Sequence, residues 1–205
     1  MKFKSVILDF DGTIADVVEL AVKCTNQLSR KYKFEKIKLN TNLRNKELRK
    51  ILRENLQLRF YKIPRFLKEV KQLFRKEIST VKIFPGIKSV LKNLNKSTKI
   101  IILTSNDKDI VESILKHNKI IIPQIYTSKS LFSKKSSLKK CLKEHNLKKS
   151  QVVYVTDEIR DLKTCNKMNI KTAAVSWGFN TIESLKRYNP NYIINKPKDL
   201  LKLIK

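Results

Sequence analysis

The sequence predicts a doubly wound α/β fold, a parallel sheet with helices on both faces and a long helical insert after the first strand. Three observations carry that expectation. Short β-branched runs recur along the chain and are nearly continuous in apolar character, as strands covered on both faces must be. Helical patterns separate the runs, which implies right-handed crossovers. Residues 16 to 82 carry no strand pattern at all, and that stretch is far too long for a loop.

SVILDF (5–10) reads as the first strand. The following stretch, 16 to about 82, spaces its apolar residues by three and four in LRKILRENLQLRF and FLKEVKQLF, with Pro64 interrupting between them. The expected division is a core of residues 1–15 and 83–205 and a helical insert of residues 16–82. Pro85 and Gly86 punctuate the return before the helix GIKSVLKNLNK. KIIILTS (99–105) reads as the second strand, followed by IIPQIYTS (121–128), VVYVTD (152–157), TAAVSW (172–177) and YIIN (192–195). IVESILKHN and SSLKKCLKEHNL are helical patterns between them, and KPKDLLKLIK reads as a short closing helix.

Hydrophobic residues make up 41% of the 205, so a sizeable core is possible and the composition argues against global disorder. No apolar run approaches the ~20 residues needed to cross a bilayer. The apolar stretch near the start is cut short by Asp9, unlike a signal peptide. Cys24, Cys141 and Cys165 lie far apart, with no C-x-x-C pair, and His117 and His145 stand alone. That pattern argues against a disulfide framework or a zinc site and for a reducing, cytoplasmic setting. The net charge of +28, from 46 Lys and Arg against 18 Asp and Glu, raises a nucleic-acid reading. Its rival is compositional drift: the lysines are scattered without a dense block, and Gly falls to 3 residues.

In an open α/β sheet, ligands bind beyond the carboxyl ends of the strands. Asp9 and Asp11 fall at that end of the first strand, Thr104 at that end of the second, and Asp157, Glu158 and Asp161 at that end of VVYVTD. Carboxylates so close together repel unless a cation joins them. Oxygen ligands without His or Cys point to Mg²⁺.

DFDGT (9–13), ILTSN (102–106), a Lys after the third strand and VTDEIRD (155–161) together resemble the haloacid dehalogenase superfamily. The tail from AVSWGFN onward resembles the end of its phosphoglycolate-phosphatase-like members, and the insert is similar to the family's small helical cap. The resemblance covers essentially the whole chain and implies a Rossmann-like core and a phosphatase. It implies Asp9 as nucleophile and Asp11 as general acid and base. It further implies Mg²⁺ held by Asp9, Asp157 and the backbone carbonyl of Asp11, with Thr104, the Ser105 amide and a lysine on phosphate. Alignment of LFSK with the family segment favours Lys134 over its neighbour Lys135. Asp161 and Glu158 would stand just behind these groups. Thr156 and Ser133 occupy places where the family usually has Gly, and Met168–Asn169 stands where Ala–Gly is typical. The chemistry-bearing side chains are retained, which argues for an active enzyme.

The expected partner is a small phosphorylated substrate, phosphoglycolate first, met by a monomer or weak homodimer without membrane contact. Nucleic acid would bind only non-specifically. Arg44, Lys46, Lys62 and Arg65 are candidate insert cations for an anionic substrate, each weighed against a plain solvated charge. Two other readings remain: a phosphatase of nucleotides or nucleic-acid ends, and a weakened member serving as a nucleic-acid-binding or interaction protein.

Overall fold

The computed structural model describes residues 3–122, 124–128 and 134–204. β1 (Ser5–Leu8) is buried at every position. Val6 and Leu8 join one apolar cluster and Ile7 another, so the period-two alternation of a strand feeds two packed layers at once. Beyond it, β2 (Ala15–Asp16) pairs antiparallel with β3 (Lys82–Ile83). Between those two short strands run α1 (Val18–Gln27), α2 (Ser29–Tyr32), α3 (Thr41–Arg44), α4 (Leu48–Lys50) and α5 (Ile63–Lys76).

The chain then alternates: α6 (Ile87–Leu94), β4 (Lys99–Thr104), α7 (Lys108–His117), β5 (Ile125–Thr127), α8 (Lys134–Glu144) and β6 (Val152–Thr156). It closes with α9 (Ile159–Met168), β7 (Lys171–Val175), α10 (Ile182–Lys186) and β8 (Tyr192–Ile194). Among the described residues, six strands form one sheet in the order β5-β4-β1-β6-β7-β8, every neighbouring pair parallel. Apolar residues of α6, α7 and the final turn pack on one face, and those of α8 and α9 on the other. This is the doubly wound α/β architecture expected, with β1 at its centre.

The sequence reading differs from the structure in detail. The stretch 16–82 is not helical throughout: its two ends are zipped by the β2–β3 ribbon, too short for any periodicity to announce. LRKILRENLQLRF is not one helix either, because α4 passes into a π-turn over Ile51–Asn55 and the chain leaves it at Leu56. Pro64 does not interrupt; it sits in the first turn of α5, where its missing N–H costs nothing. The strand expected over 121–128 is confined to Ile125–Thr127, and Pro123 lies outside the described residues. The closing helix is a 3₁₀ turn, Pro197–Leu203.

The insert has its own apolar cluster of Leu28, Leu43, Ile51, Leu52, Leu56 and Phe66, against which Phe179 packs from the loop after β7. That loop is tied to the insert by hydrogen bonds. Arg44 donates from Nε to the carbonyl of Phe179 and from Nη2 to that of Gly178, both at 2.8 Å. Asn180 donates back to the carbonyls of Arg44 and Lys46. On other sides Lys163 pairs with Glu47 at 2.5 Å and Lys71 with Asp107 at 2.7 Å.

Candidate active site

β1, β4 and β6 end side by side, and the side chains just past their carboxyl ends meet. Asp9 follows β1 directly; its N–H donates to the carbonyl of Val155 at 2.9 Å, as though the strand ran one residue further. Its carboxylate turns inward, Oδ1 accepting from the N–H of Phe10 at 2.8 Å. Oδ2 lies 2.8 Å from Nζ of Lys134, the first residue of α8, but no donor is aligned with it for a hydrogen bond. Asp9 is 1% exposed. Burial lifts its carboxyl well above the usual range, Lys134 opposes that, and the charges of Asp161, Glu158 and Asp157 add to it.

The chain must turn sharply after Asp11. Gly12 has φ +76°, and a Cβ there would collide with the carboxylate of Asp157. Gly178 is needed for the same reason, since its Cβ would strike Asp157 and the carbonyl oxygen of Gly12. Asp157 is therefore sheathed by two glycines. Its Oδ1 accepts from Thr13 Oγ1 at 2.8 Å and its Oδ2 from the N–H of Phe179 at 2.7 Å. Burial, with help from Glu158, pushes its carboxyl up to about 7 despite both donors.

Asp11 is partly buried and faces β4. Its Oδ1 accepts from Asn106 Nδ2 at 3.1 Å, and Thr104 Oγ1 lies 3.5 Å from its Oδ2. Burial raises its carboxyl and the Asn106 bond opposes the shift. Thr104 is fully buried; its hydroxyl also accepts from the N–H of Asn106. The hydroxyl of Ser105 accepts from Arg160 at 3.1 Å.

Lys134 is 5% exposed and bridges Asp9 and Asp161, the latter at 2.5 Å. Burial would lower its ammonium, but these two carboxylates more than reverse that and hold it charged. Asp161 is kept below the usual range, against burial, by Lys134 and Arg160. Tyr154 and Thr156 also donate to Asp161 Oδ2, at 3.3 and 3.2 Å. Thr156, in a place read as a lost glycine, thus adds a hydrogen bond to the site. Asn169 ends α9 in the left-handed conformation at φ +55°, which Asn tolerates nearly as Gly does. Ser133 lies outside the described residues, and Lys135 is exposed.

Every sequence-predicted site residue thus stands at one rim: Asp9, Asp11, Thr104, Ser105, Lys134, Asp157, Glu158 and Asp161. Sequence reasoning missed Arg160, whose guanidinium is gripped by Glu158 at 2.6 Å and reaches Ser105. It sits inside the quoted VTDEIRD, hidden among 46 cations. Asn106 and the N–H of Phe179 were also missed. The candidate insert cations do not reach the rim cavity: Arg44 and Lys46 are engaged as above and with Glu54, Arg65 pairs with Glu69, and Lys62 lies on a separate turn.

The donor set suits a hard divalent cation. It is oxygen only, Asp9 Oδ2 lacks an aligned donor, and Asp9 and Asp157 are both pushed toward protonation by burial and neighbouring negative charge. Among the described residues, no three acidic, His or Cys side chains are grouped to grip an ion by themselves. One oxygen of the Asp11 carboxylate is engaged by Asn106. A cavity of about 250 Å³ opens beside Asp11, Gly12 and Asp157 and runs into the insert.

The chain is similar to known proteins along nearly its whole length. The chain is 26% identical to a phosphoglycolate phosphatase of Synechococcus elongatus, over 98% of this chain and 97% of that protein. It is 23% identical to the pyrophosphatase PpaX of Oceanobacillus iheyensis, over 100% and 98%. A haloacid dehalogenase-like hydrolase from Streptococcus pneumoniae has the same fold, with a TM-score of 0.84, 21% identity and 100% and 99% of the two chains superposed. The family profile described as haloacid dehalogenase-like hydrolase matches residues 6–175, and the chain belongs to that family.

Proposed function

We propose that this hydrolase is a Mg²⁺-dependent phosphatase of small phosphomonoesters, working in two steps through phosphorylated Asp9, with residues 16–82 acting as a cap over the site. The observation that carries the reading is the buried Asp9 carboxylate, one oxygen without an aligned donor, beside Lys134 and two residues from Asp11.

Asp9 attacks phosphorus and its oxygen–phosphorus bond forms as the ester bond breaks. Asp11, with its raised carboxyl, gives its proton to the departing alcohol oxygen. In the second step Asp11 takes a proton from water, the water oxygen attacks phosphorus, and Asp9 leaves as a free carboxylate. Lys134 holds the negative charge of the phosphoryl oxygens and keeps Asp9 in line. Thr104 and the Ser105 amide bind the remaining oxygens. Asp161, fixed by Lys134, Tyr154 and Thr156, positions Lys134. Asp9, Asp157 and the Asp11 carbonyl would hold Mg²⁺, which neutralises phosphoryl charge.

The two named relatives act on different phosphates, so identity at this level does not choose the substrate. The three buried, free thiols suit the reducing cytoplasm, and among the described residues no helix is long and apolar enough to cross a membrane. The test is turnover of p-nitrophenyl phosphate. We expect release of p-nitrophenol with Mg²⁺, none with EDTA, and transient ³²P labelling of the wild type but not of Asp9→Asn. Full activity in chelator would overturn the metal role, and an unlabelled but active enzyme would overturn the covalent step.

A further inference from the structure

We propose that the group esterified to the phosphate is apolar, an aliphatic or aromatic alcohol in place of a carboxylated one such as glycolate. This rests on the phosphatase reading and names its substrate class. The cavity of about 250 Å³ is continuous with the site, because Asp11, Gly12 and Asp157 form its mouth. Away from the mouth its walls are mostly hydrocarbon, with Thr25 the exception on α1: Val18, Ala21 and Val22 come from that helix, and Ile51, Leu52 and Phe66 from the rest of the insert.

The charges that line it point the same way. Glu47 and Glu158 line it together with Asp11 and Asp157, Glu47 being paired with Lys163. Among the described residues, Arg160 is the one cation of the lining, and Glu158 holds its guanidinium at 2.6 Å. No lysine lines the space in a chain carrying +28, so the surface charge stops at the opening. A leaving group with its own carboxylate would enter an apolar interior whose one lining cation, Arg160, is already engaged by Glu158. An apolar one removes hydrocarbon from water on both sides. A cavity of about 150 Å³ accepts benzene, so this space admits a ring or a chain of roughly six to eight carbons beside the phosphate.

The experiment compares kcat/KM for ethyl, n-butyl and n-hexyl phosphate, whose leaving alcohols have nearly equal basicity, with phosphoglycolate and p-nitrophenyl phosphate. We expect a rise of about three- to fourfold per methylene, or roughly 100-fold from ethyl to hexyl, and phosphoglycolate below butyl phosphate. Ala21→Leu, which fills the space, should cut the hexyl-to-ethyl ratio by about tenfold. A ratio measured within one protein is insensitive to how much of it is folded. Independently of turnover, n-hexylphosphonate should raise the melting temperature more than ethylphosphonate does. A flat chain-length series, equal shifts with the two phosphonates, or phosphoglycolate ahead of hexyl phosphate would overturn the apolar class while p-nitrophenyl phosphate is still hydrolysed. Failure to hydrolyse p-nitrophenyl phosphate as well would instead sink the phosphatase reading.

Discussion

Lys134 lies 2.8 Å from Asp9 where neither side chain has appreciable contact with solvent. Its second partner, Asp161, leaves it charged at any ordinary pH. Removing one member of such a pair strands a buried charge, which costs about 3–5 kcal/mol. Lys134→Met should therefore lower unfolding free energy by that order in urea titrations, and Lys135→Met should change it by less than about 0.5 kcal/mol. Equal effects at the two lysines would contradict the arrangement.

Asp9→Asn keeps the hydrogen bond from the Phe10 N–H but loses nucleophilicity. Turnover of p-nitrophenyl phosphate should drop by about 10³-fold or more. The melting temperature should hold or rise, because the substitution removes a charge disfavoured by burial and repelled by Asp161, Glu158 and Asp157, while Lys134 keeps its ion pair with Asp161. Activity within tenfold of wild type would remove Asp9 from its role.

Asp11→Asn should lose about 10²- to 10⁴-fold in kcat, the usual worth of a positioned proton carrier. The loss should be smaller for p-nitrophenyl phosphate, whose leaving group needs no proton, than for an alkyl phosphate. Because Asp11 also serves the second step, which all substrates share, the comparison is made on kcat/KM, and an equal loss there would remove the leaving-group proton from Asp11.

Asp157 carries a carboxyl pushed up to about 7, and that sets a pH signature for metal-free protein. The folded state holds a proton that the unfolded chain, near 4, has released, so stability falls as pH rises from about 4 to about 7 and then levels. The melting temperature in EDTA should decline over that window, and Asp157→Asn should flatten the decline. Added Mg²⁺ should raise the melting temperature more at pH 8 than at pH 5.5. A metal-free melting temperature that increases from pH 5 to 8 would refute this account.

The +28 charge gives a salt test. Raising salt from ~50 to ~200 mM should cost only a fewfold in kcat/KM for a small anion, since distant exposed charges are screened. A polymer substrate neutralised by six or more cations would lose ~10³-fold over the same range. A slope of the second kind, with competitive inhibition by single-stranded DNA, would favour nucleic-acid ends.

The site was legible where its chemistry is written locally. Asp9, Asp11, Gly12 and Thr13 lie in one string, and Asp157 and Asp161 in another, each ending an apolar run that marks a strand. What was not legible depends on tertiary approach. The Phe179 N–H reaches Asp157 only because the loop after β7 folds back, and Asn106 matters only because it faces Asp11 across two strands. Arg160 had no local mark to set it apart from the other cations. The β2–β3 ribbon is shorter than any periodicity, and the apolar cavity emerges only when α1 and the π-turn segment pack together.

The strand order also governs how the molecule is made. β1 comes before all the other described strands, yet it lies between β4 and β6, with Ser5 paired to both Lys99 and Val152. No hairpin neighbour can protect it, and its two flanks close loops of very different length. On the ribosome this apolar strand emerges early and waits for partners, with Lys134 and Asp157 still to be added. Burial of Asp9 therefore comes late in folding, and a nascent chain stopped short of β6 leaves one edge of β1 open to association with other chains.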